Sequence, residues 1–197
     1  MLEQGVIFDL EGILLTIDMD ENAKNQMVFE FLRERKYVFH PDDLEGKSPL
    51  DFAASFARWR DHDREILEQE IGKFERRAMM NAKGDPSASG VLEMISRRYR
   101  VVVLSRSRGD GLVKTLGKLG IRQFIHSIVP AEDWVNHPSP VIGLELAMAK
   151  YPEIPKGKWR YVGLPDSRAR AHQCDLAFYP FGIPPLKELE DVMDELL

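Results

Sequence analysis

Asp9 and Glu11 stand two residues apart, directly after a short apolar run and just ahead of Gly12. Two carboxylates so placed on a tight turn can face one cavity, one as nucleophile and the other as general acid and base. Gly12 permits the bend that such a turn needs. An aspartate that caps its own turn would give the same pair. Far along the chain comes Ser105-Arg106-Ser107-Arg108-Gly109. A hydroxyl and two guanidiniums ahead of a helix start suit an anion, although a capping serine between solvated arginines has the same composition. His137, in His137-Pro138-Ser139-Pro140, is fractionally charged near neutral pH and could face an anion or simply sit in a loop. Asp166 follows Gly163-Leu164-Pro165 and is placed to cap the next helix.

These residues need a scaffold that brings them together. Gly5-Val6-Ile7-Phe8 reads as a buried strand ending at Asp9. From about Ile17 to Lys83 no strand pattern occurs, and apolar residues fall at helical spacing among dense charges. Met27, Val28, Phe31 and Leu32 form one face, Ser48-Pro49-Leu50-Asp51 a helix start, and Phe52, Phe56 and Trp59 its continuation. Leu67, Ile71, Phe74 and Ala78 make a third stripe, so the segment is expected to be an insert of about four helices. After Gly84-Asp85-Pro86 helix and strand alternate. Strands are expected over 99–104, 124–129, 159–162 and 176–179. Helices carry Val91, Leu92 and Ile95, then Leu112, Leu116 and Leu119 closed by Gly120, then Leu144 and Met148. The last helix is expected to open at Pro184-Pro185 and run through Leu189, Val192 and Leu196.

Alternating strands and helices predict an α/β fold, a parallel Rossmann-like sheet with helices on both faces. Ligands of such sheets bind at the carboxyl ends of the strands. Asp9, Ser105, the 132–140 segment and Asp166 all fall at those ends.

The 197 residues, 44% of them hydrophobic, suffice for one core carrying a smaller insert. A net charge of -5, with both signs interspersed, argues against a nucleic-acid surface. The start of the chain shows neither a basic flank nor a long apolar segment, so a membrane span is not expected and the cytoplasm is the expected location. Cys174 lacks partners for a disulfide or zinc site, and the remaining histidines, His40, His62, His126 and His172, show no ligand spacing.

The run Val6-Ile7-Phe8-Asp9-Leu10-Glu11-Gly12-Ile13-Leu14 resembles the first motif of the haloacid dehalogenase (HAD) superfamily of phosphohydrolases, an apolar strand followed by Asp-x-Asp-Gly-Thr-Leu. Further landmarks follow in order. They are a helical insert just after that motif, a strand ending in Ser105, His137-Pro138-Ser139-Pro140 in the place of Lys-Pro-x-Pro, and a strand ending in Val162-Gly163. The pattern is similar to the capped, beta-phosphoglucomutase-like branch. The resemblance implies a core of residues 1–16 and 84–197 and a helical cap of residues 17–83.

It also implies chemistry. Asp9 stands at the nucleophile that forms an aspartyl-phosphate, and Glu11 at the acid/base, one methylene longer than the family's Asp. Ser105, with Arg106 beside it, stands where phosphoryl oxygens are bound, and His137 where a lysine is usual. Ile13 replaces the usual Thr. Leu164 and Arg168 replace the acids that hold Mg2+; leucine offers no oxygen to a hard cation and arginine repels one. Asp9, Glu11 and Asp166 remain as metal candidates. Two readings follow: a Mg2+-dependent phosphohydrolase of a small phosphorylated metabolite, or a binding or regulatory module that has lost the metal, with His137 and Arg168 supplying positive charge to an anion. A metal-free route, as in the superfamily's dehalogenases, is the third. The insert could carry a homodimer face.

Overall fold

The computed structural model describes residues 2–37, 61–134 and 137–197; Ser48 to Asp51, Phe52, Phe56, Trp59 and His40 lie outside them. The chain divides into two compact units, Met1–Ile17 with Met79–Leu197, and Asp18–Ala78.

The larger unit is built on β1 (Gly5–Asp9), whose five residues are all buried. A strand covered on both faces reads as a continuous apolar run, and β1 and β4 (Arg100–Leu104) do so. With β5 (Ser127–Val129), β6 (Trp159–Gly163) and β7 (Ala177–Pro180) they form a five-stranded sheet in the order β5-β4-β1-β6-β7. Every pairing is parallel. The chain first builds outward from β1 through β4 to β5, then returns to β6 on the other side. The strand order therefore reverses at β1/β6, the place where α/β sheets open a crevice. β2 (Leu15–Thr16) and β3 (Lys83–Gly84) form a small antiparallel ribbon.

Side-chain alternation assigns each strand residue a face. Val6, Phe8, Val101 and Val103 pack with Val91, Leu92 and Ile95 of α3 (Ala88–Ser96), Leu112 and Leu116 of α4 (Gly109–Lys118), and Leu189 and Val192 of α7 (Leu189–Leu196). Ile7, Val102, Leu104 and Tyr161 pack on the opposite face with Leu144 and Ala147 of α5 (Ile142–Ala149) and Ala171 of α6 (Arg168–Gln173). Asp9 shares the parity of Ile7, so its carboxylate leaves the strand on the α5/α6 face.

Two elements differ from their sequence patterns. The apolar stretch from Phe124 begins as a 3-10 turn, Arg122–Phe124, and the strand starts only at Ser127. His126 is used as a cap there: its Nδ1 accepts the Val101 N–H at 3.1 Å. The last helix starts at Leu189, not at the prolines. Gly182 and Leu186 close a turn around Pro184-Pro185, and the Asp191 carboxylate then accepts the Lys187 and Glu188 N–H groups. That capping box sets the start.

In the smaller unit α1 (Glu21–Glu34) is capped by Asp20, whose side chain accepts the Ala23 N–H. Val28 and Leu32 of α1 pack with Leu67 and Ile71 of α2 (Asp61–Met80). Asp63 is buried beside them. It receives Arg35 Nη1 at 2.6 Å on one oxygen and the Tyr37 hydroxyl at 2.9 Å on the other. These are the two helices of the insert among the described residues.

Candidate functional site at the β1/β6 switch point

Asp9 is the last residue of β1 and 7% exposed. Phe8 is in register with Val162, so Asp9 lies beside Gly163 at the end of β6. Gly163 has to be a glycine: a Cβ there would lie 2.9 Å from Tyr161 Cζ and 3.1 Å from Asp9 Oδ2. Tyr161, two residues back along β6 and so on the same face, donates its hydroxyl to Asp9 Oδ1 at 2.8 Å. The turn after β6 brings in Ser167, whose hydroxyl is 3.0 Å from Asp9 Oδ2. One helical turn later, at the i+3 position that shares a face, Arg170 Nη2 donates to Ser167 Oγ at 2.6 Å. It also reaches Tyr161 Oη at 3.4 Å, and stops 3.9 Å from Asp9 Oδ2. The Asp9 carboxylate is thus bound by two hydroxyls with a guanidinium just behind them.

Burial pushes the Asp9 carboxyl above its usual range, more than the Tyr161 hydrogen bond, the Arg170 charge, the Ser167 hydrogen bond and the Arg106 charge pull it down. Tyr161 is pushed up as well, chiefly by burial and then by the Asp9 charge, and so stays a donor.

Glu11 turns the other way, toward β4. Ser105 Oγ donates to its Oε1 at 2.6 Å and the Arg106 N–H to its Oε2 at 3.0 Å. Ser105 Oγ also accepts the Ser107 N–H at 3.0 Å, which fixes the hydroxyl. Farther along the same loop both oxygens of Glu132 accept the N–H of Gly109, the first residue of α4, at 3.1 and 3.2 Å. A carboxylate is favoured at a helix N-terminus. Gly12 has φ +84° and takes the left-handed conformation that lets the Glu11 turn close.

Trp134 joins the two halves. Its Nε1 donates to the Ser105 carbonyl at 3.0 Å, and the Arg170 guanidinium lies over its ring, 5.6 Å from the centroid.

Asp9, Glu11, Ser105 and Arg106 therefore meet at the carboxyl ends of β1 and β4. The other residues singled out in the sequence are placed differently. His137 is exposed, and its Nδ1 accepts the Ser139 N–H at 3.1 Å. Asp166 is exposed and faces Arg106 across 3.7 Å. It sits in the 3-10 turn Pro165–Ser167 and makes no side-chain cap to α6. Arg168 is exposed, with its guanidinium over the Phe178 ring at 5.9 Å. The positive charge next to Asp9 comes from Arg170 instead, because the turn after β6 presents Ser167 and the residue three beyond it. Leu164 lies over Gly12, 3.2 Å from where a Cβ would be. Among the described residues no three His, Cys, Asp or Glu side chains are grouped so as to hold a metal ion, and no helix is long and apolar enough to cross a membrane.

Sequence reasoning missed Tyr161, Ser167, Arg170 and Trp134. Tyr161 was legible in principle, since strand parity puts the residue two before Gly163 on the Asp9 face. Arg170 and Trp134 carried no such signal.

No protein-family model matches the chain, and no curated protein matches it by sequence. Solved structures do. A predicted phosphoglycolate phosphatase from Haemophilus somnus superposes with a TM-score of 0.68 at 13% identity, over 100% of this chain and 99% of that one. A HAD phosphatase from Thermococcus onnurineus gives 0.63 at 12% identity, over 98% and 97%. The HAD-hydrolase YfnB of Bacillus subtilis, solved bound to magnesium, gives 0.62 at 13% identity, over 100% and 99%. A parallel five-stranded sheet with an acid at the end of β1 defines a Rossmann-like α/β class. Within it, the chain has the fold of the HAD-superfamily hydrolases.

Proposed function

We propose that the chain is a HAD-fold anion-binding protein that works without magnesium and does not turn over phosphate esters. Its ligand is a small phosphorylated metabolite or a related anion. One observation carries this reading: both oxygens of Asp9 are already bound, and the acid lies buried behind Tyr161 and Ser167. Attack on phosphorus needs an ionised oxygen that a substrate can reach in line with the leaving group, and Asp9 is 7% exposed. Burial favours the protonated form of Asp9 and so lowers its nucleophilicity further.

The side chains present do not fit a divalent cation. Mg2+ demands near-octahedral oxygen ligation, usually with one or two carboxylates and several waters. Asp9 Oδ2 is instead shared by the Ser167 hydroxyl and the Arg170 charge. Glu11 is spent on Ser105 and Arg106, and Asp166 faces Arg106. Arg170 stands beside Asp9 as a fixed positive charge. It can hold an anion by charge-assisted hydrogen bonds with no metal. Losing electrostatic stabilisation of a transferring group costs about 10²–10³ in rate for each donor removed, so the exchange preserves binding more readily than turnover.

A second reading keeps Asp9 as nucleophile and Glu11 as acid/base of a phosphohydrolase. The observation in its favour is that Asp9, Glu11 and Ser105 converge at the carboxyl ends of adjacent strands. The two are separated by assaying p-nitrophenyl phosphate with and without Mg2+, beside an Asp9→Asn variant. The expected result is no turnover above the variant in either condition, together with phosphate binding that is indifferent to Mg2+. Turnover that needs both Asp9 and the metal would overturn the proposal.

A further inference from the structure

The Ser105 hydroxyl and the Arg106 N–H point together at one small acceptor, and in this structure that acceptor is the chain's own Glu11 carboxylate, at 2.6 and 3.0 Å. We propose that Glu11 is a built-in competitor: its carboxylate occupies the anion cradle of the β4 loop, and a ligand binds by displacing it. The inference rests on the anion-binding reading and adds its regulation; Trp134, which holds the Ser105 carbonyl and carries Arg170 over its ring, makes the cradle and the Arg170 charge parts of one site.

The geometry favours a side chain that moves while its backbone stays. The main chain around Glu11 is pinned. Leu10 N–H donates to the Leu104 carbonyl at 2.9 Å, Gly12 N–H to the Leu15 carbonyl at 2.8 Å, and Glu11 itself bridges to Leu15. The Glu11 side chain, by contrast, is only half-buried and can rotate into solvent without disturbing that turn. The cradle is rigid where it matters, since Ser105 Oγ accepts the Ser107 N–H and the Ser105 carbonyl is held by Trp134. The Ser105 hydroxyl is fully buried, and without Glu11 or a ligand its remaining acceptor is the Ser107 carbonyl at a long 3.4 Å, a poor exchange for a buried donor. Glu11 satisfies it when no ligand is present.

A tethered carboxylate competes at an effective concentration of about millimolar. The apparent affinity for an external anion falls by the fraction of molecules in which Glu11 is undocked. Replacing Glu11 should therefore tighten anion binding, whereas an ordinary binding residue would weaken it on removal.

The test titrates inorganic phosphate into the full chain by calorimetry, comparing wild type with Glu11→Ala, Glu11→Gln, Ser105→Ala and the Glu11→Ala/Ser105→Ala pair. The expected result is a Kd about tenfold lower or better in both Glu11 variants, lost again when Ser105→Ala is added. Glu11→Gln keeps a neutral acceptor near Ser105 and reports on the same question should Glu11→Ala fold poorly. The amide proton of Arg106 gives a second readout by NMR: it should move upfield in Glu11→Ala and return downfield on adding phosphate. Unchanged or weaker phosphate binding in the Glu11 variants, with Ser105→Ala still abolishing it, would overturn the competitor and leave the anion site standing. No phosphate binding by wild type or either Glu11 variant would overturn both.

Discussion

Among the described residues each compact unit buries one aspartate and meets it with a tyrosine hydroxyl and an arginine, yet the two clusters are built differently. In the helical unit Asp63 takes Arg35 directly, at 2.6 Å, and Tyr37 on its other oxygen. Charge meets charge, and each oxygen has a donor. In the core unit Asp9 receives two hydroxyls, Tyr161 and Ser167, while Arg170 stays 3.9 Å off and gives its short bond to Ser167. The same three residue types thus make a closed ion pair in one place and a charge held in reserve in the other. A guanidinium that does not spend its hydrogen bonds on the buried acid still has a field to offer an incoming anion. On the proposed anion-binding reading, this separates a pin that stabilises a fold from a site that binds.

Removing each arginine tests that contrast most strongly. Arg35→Met leaves Asp63 buried with one hydroxyl donor, and stranding one partner of a buried pair costs about 3 kcal/mol. Arg35 is 40% exposed and Asp63 4%, so the penalty falls on the acid left behind. Arg170→Met removes hydrogen bonds to neutral hydroxyls and a stack on Trp134, worth about 1 kcal/mol. Urea midpoints at neutral pH should therefore fall clearly in the first variant and slightly in the second, while phosphate binding fails only in the second. Equal losses of stability would remove the distinction between pin and site.

The sequence carried the scaffold further than it carried the site. Short continuous apolar runs mark β1, β4 and β6, and the strand ends then point to Asp9, Ser105 and the 163–166 turn. Gly120 closes α4 with φ +71°, as its position suggested. The helical insert was legible as far as its described parts go, in the Val28, Leu32, Leu67 and Ile71 cluster. Electrostatic partners were not legible, for a physical reason. Which residue of a short turn faces a cavity depends on where the turn begins, and a 3-10 turn at Pro165–Ser167 shifts the facing positions to Ser167 and Arg170. Family spacing instead points to Leu164 and Arg168. Trp134 acts through contacts with Ser105 and Arg170, which lie far away in sequence, and no local pattern encodes those. His137 shows the converse, a residue conspicuous by alignment whose described partner is a neighbouring backbone amide.

Neutralising each aspartate makes the finer test, because the two substitutions should have opposite signs. Asp63→Asn gives up a charge-assisted bond to Arg35 and should destabilise by about 1.5–3 kcal/mol. Asp9→Asn replaces a carboxyl whose pKa is raised, chiefly by burial. A carboxyl raised in the folded state binds its proton more tightly there than in the unfolded chain. Its contribution to stability is full below the unfolded value, near 3.8, and is lost as pH climbs through the folded one. The asparagine variant keeps the neutral form at every pH. It should match wild type in acid and exceed it at neutral pH, the gap opening above pH 3.8. His126 complicates the wild-type curve, since burial lowers its pKa and its contribution, complete above about pH 6.5, fades as pH falls. Both proteins carry that histidine, so the difference between their urea midpoints, followed from about pH 4 to about pH 8, isolates Asp9. A gap that closes with rising pH, or an Asp9→Asn variant weaker than wild type at pH 7, would mean that Arg170 already pairs with Asp9 as fully as Arg35 does with Asp63.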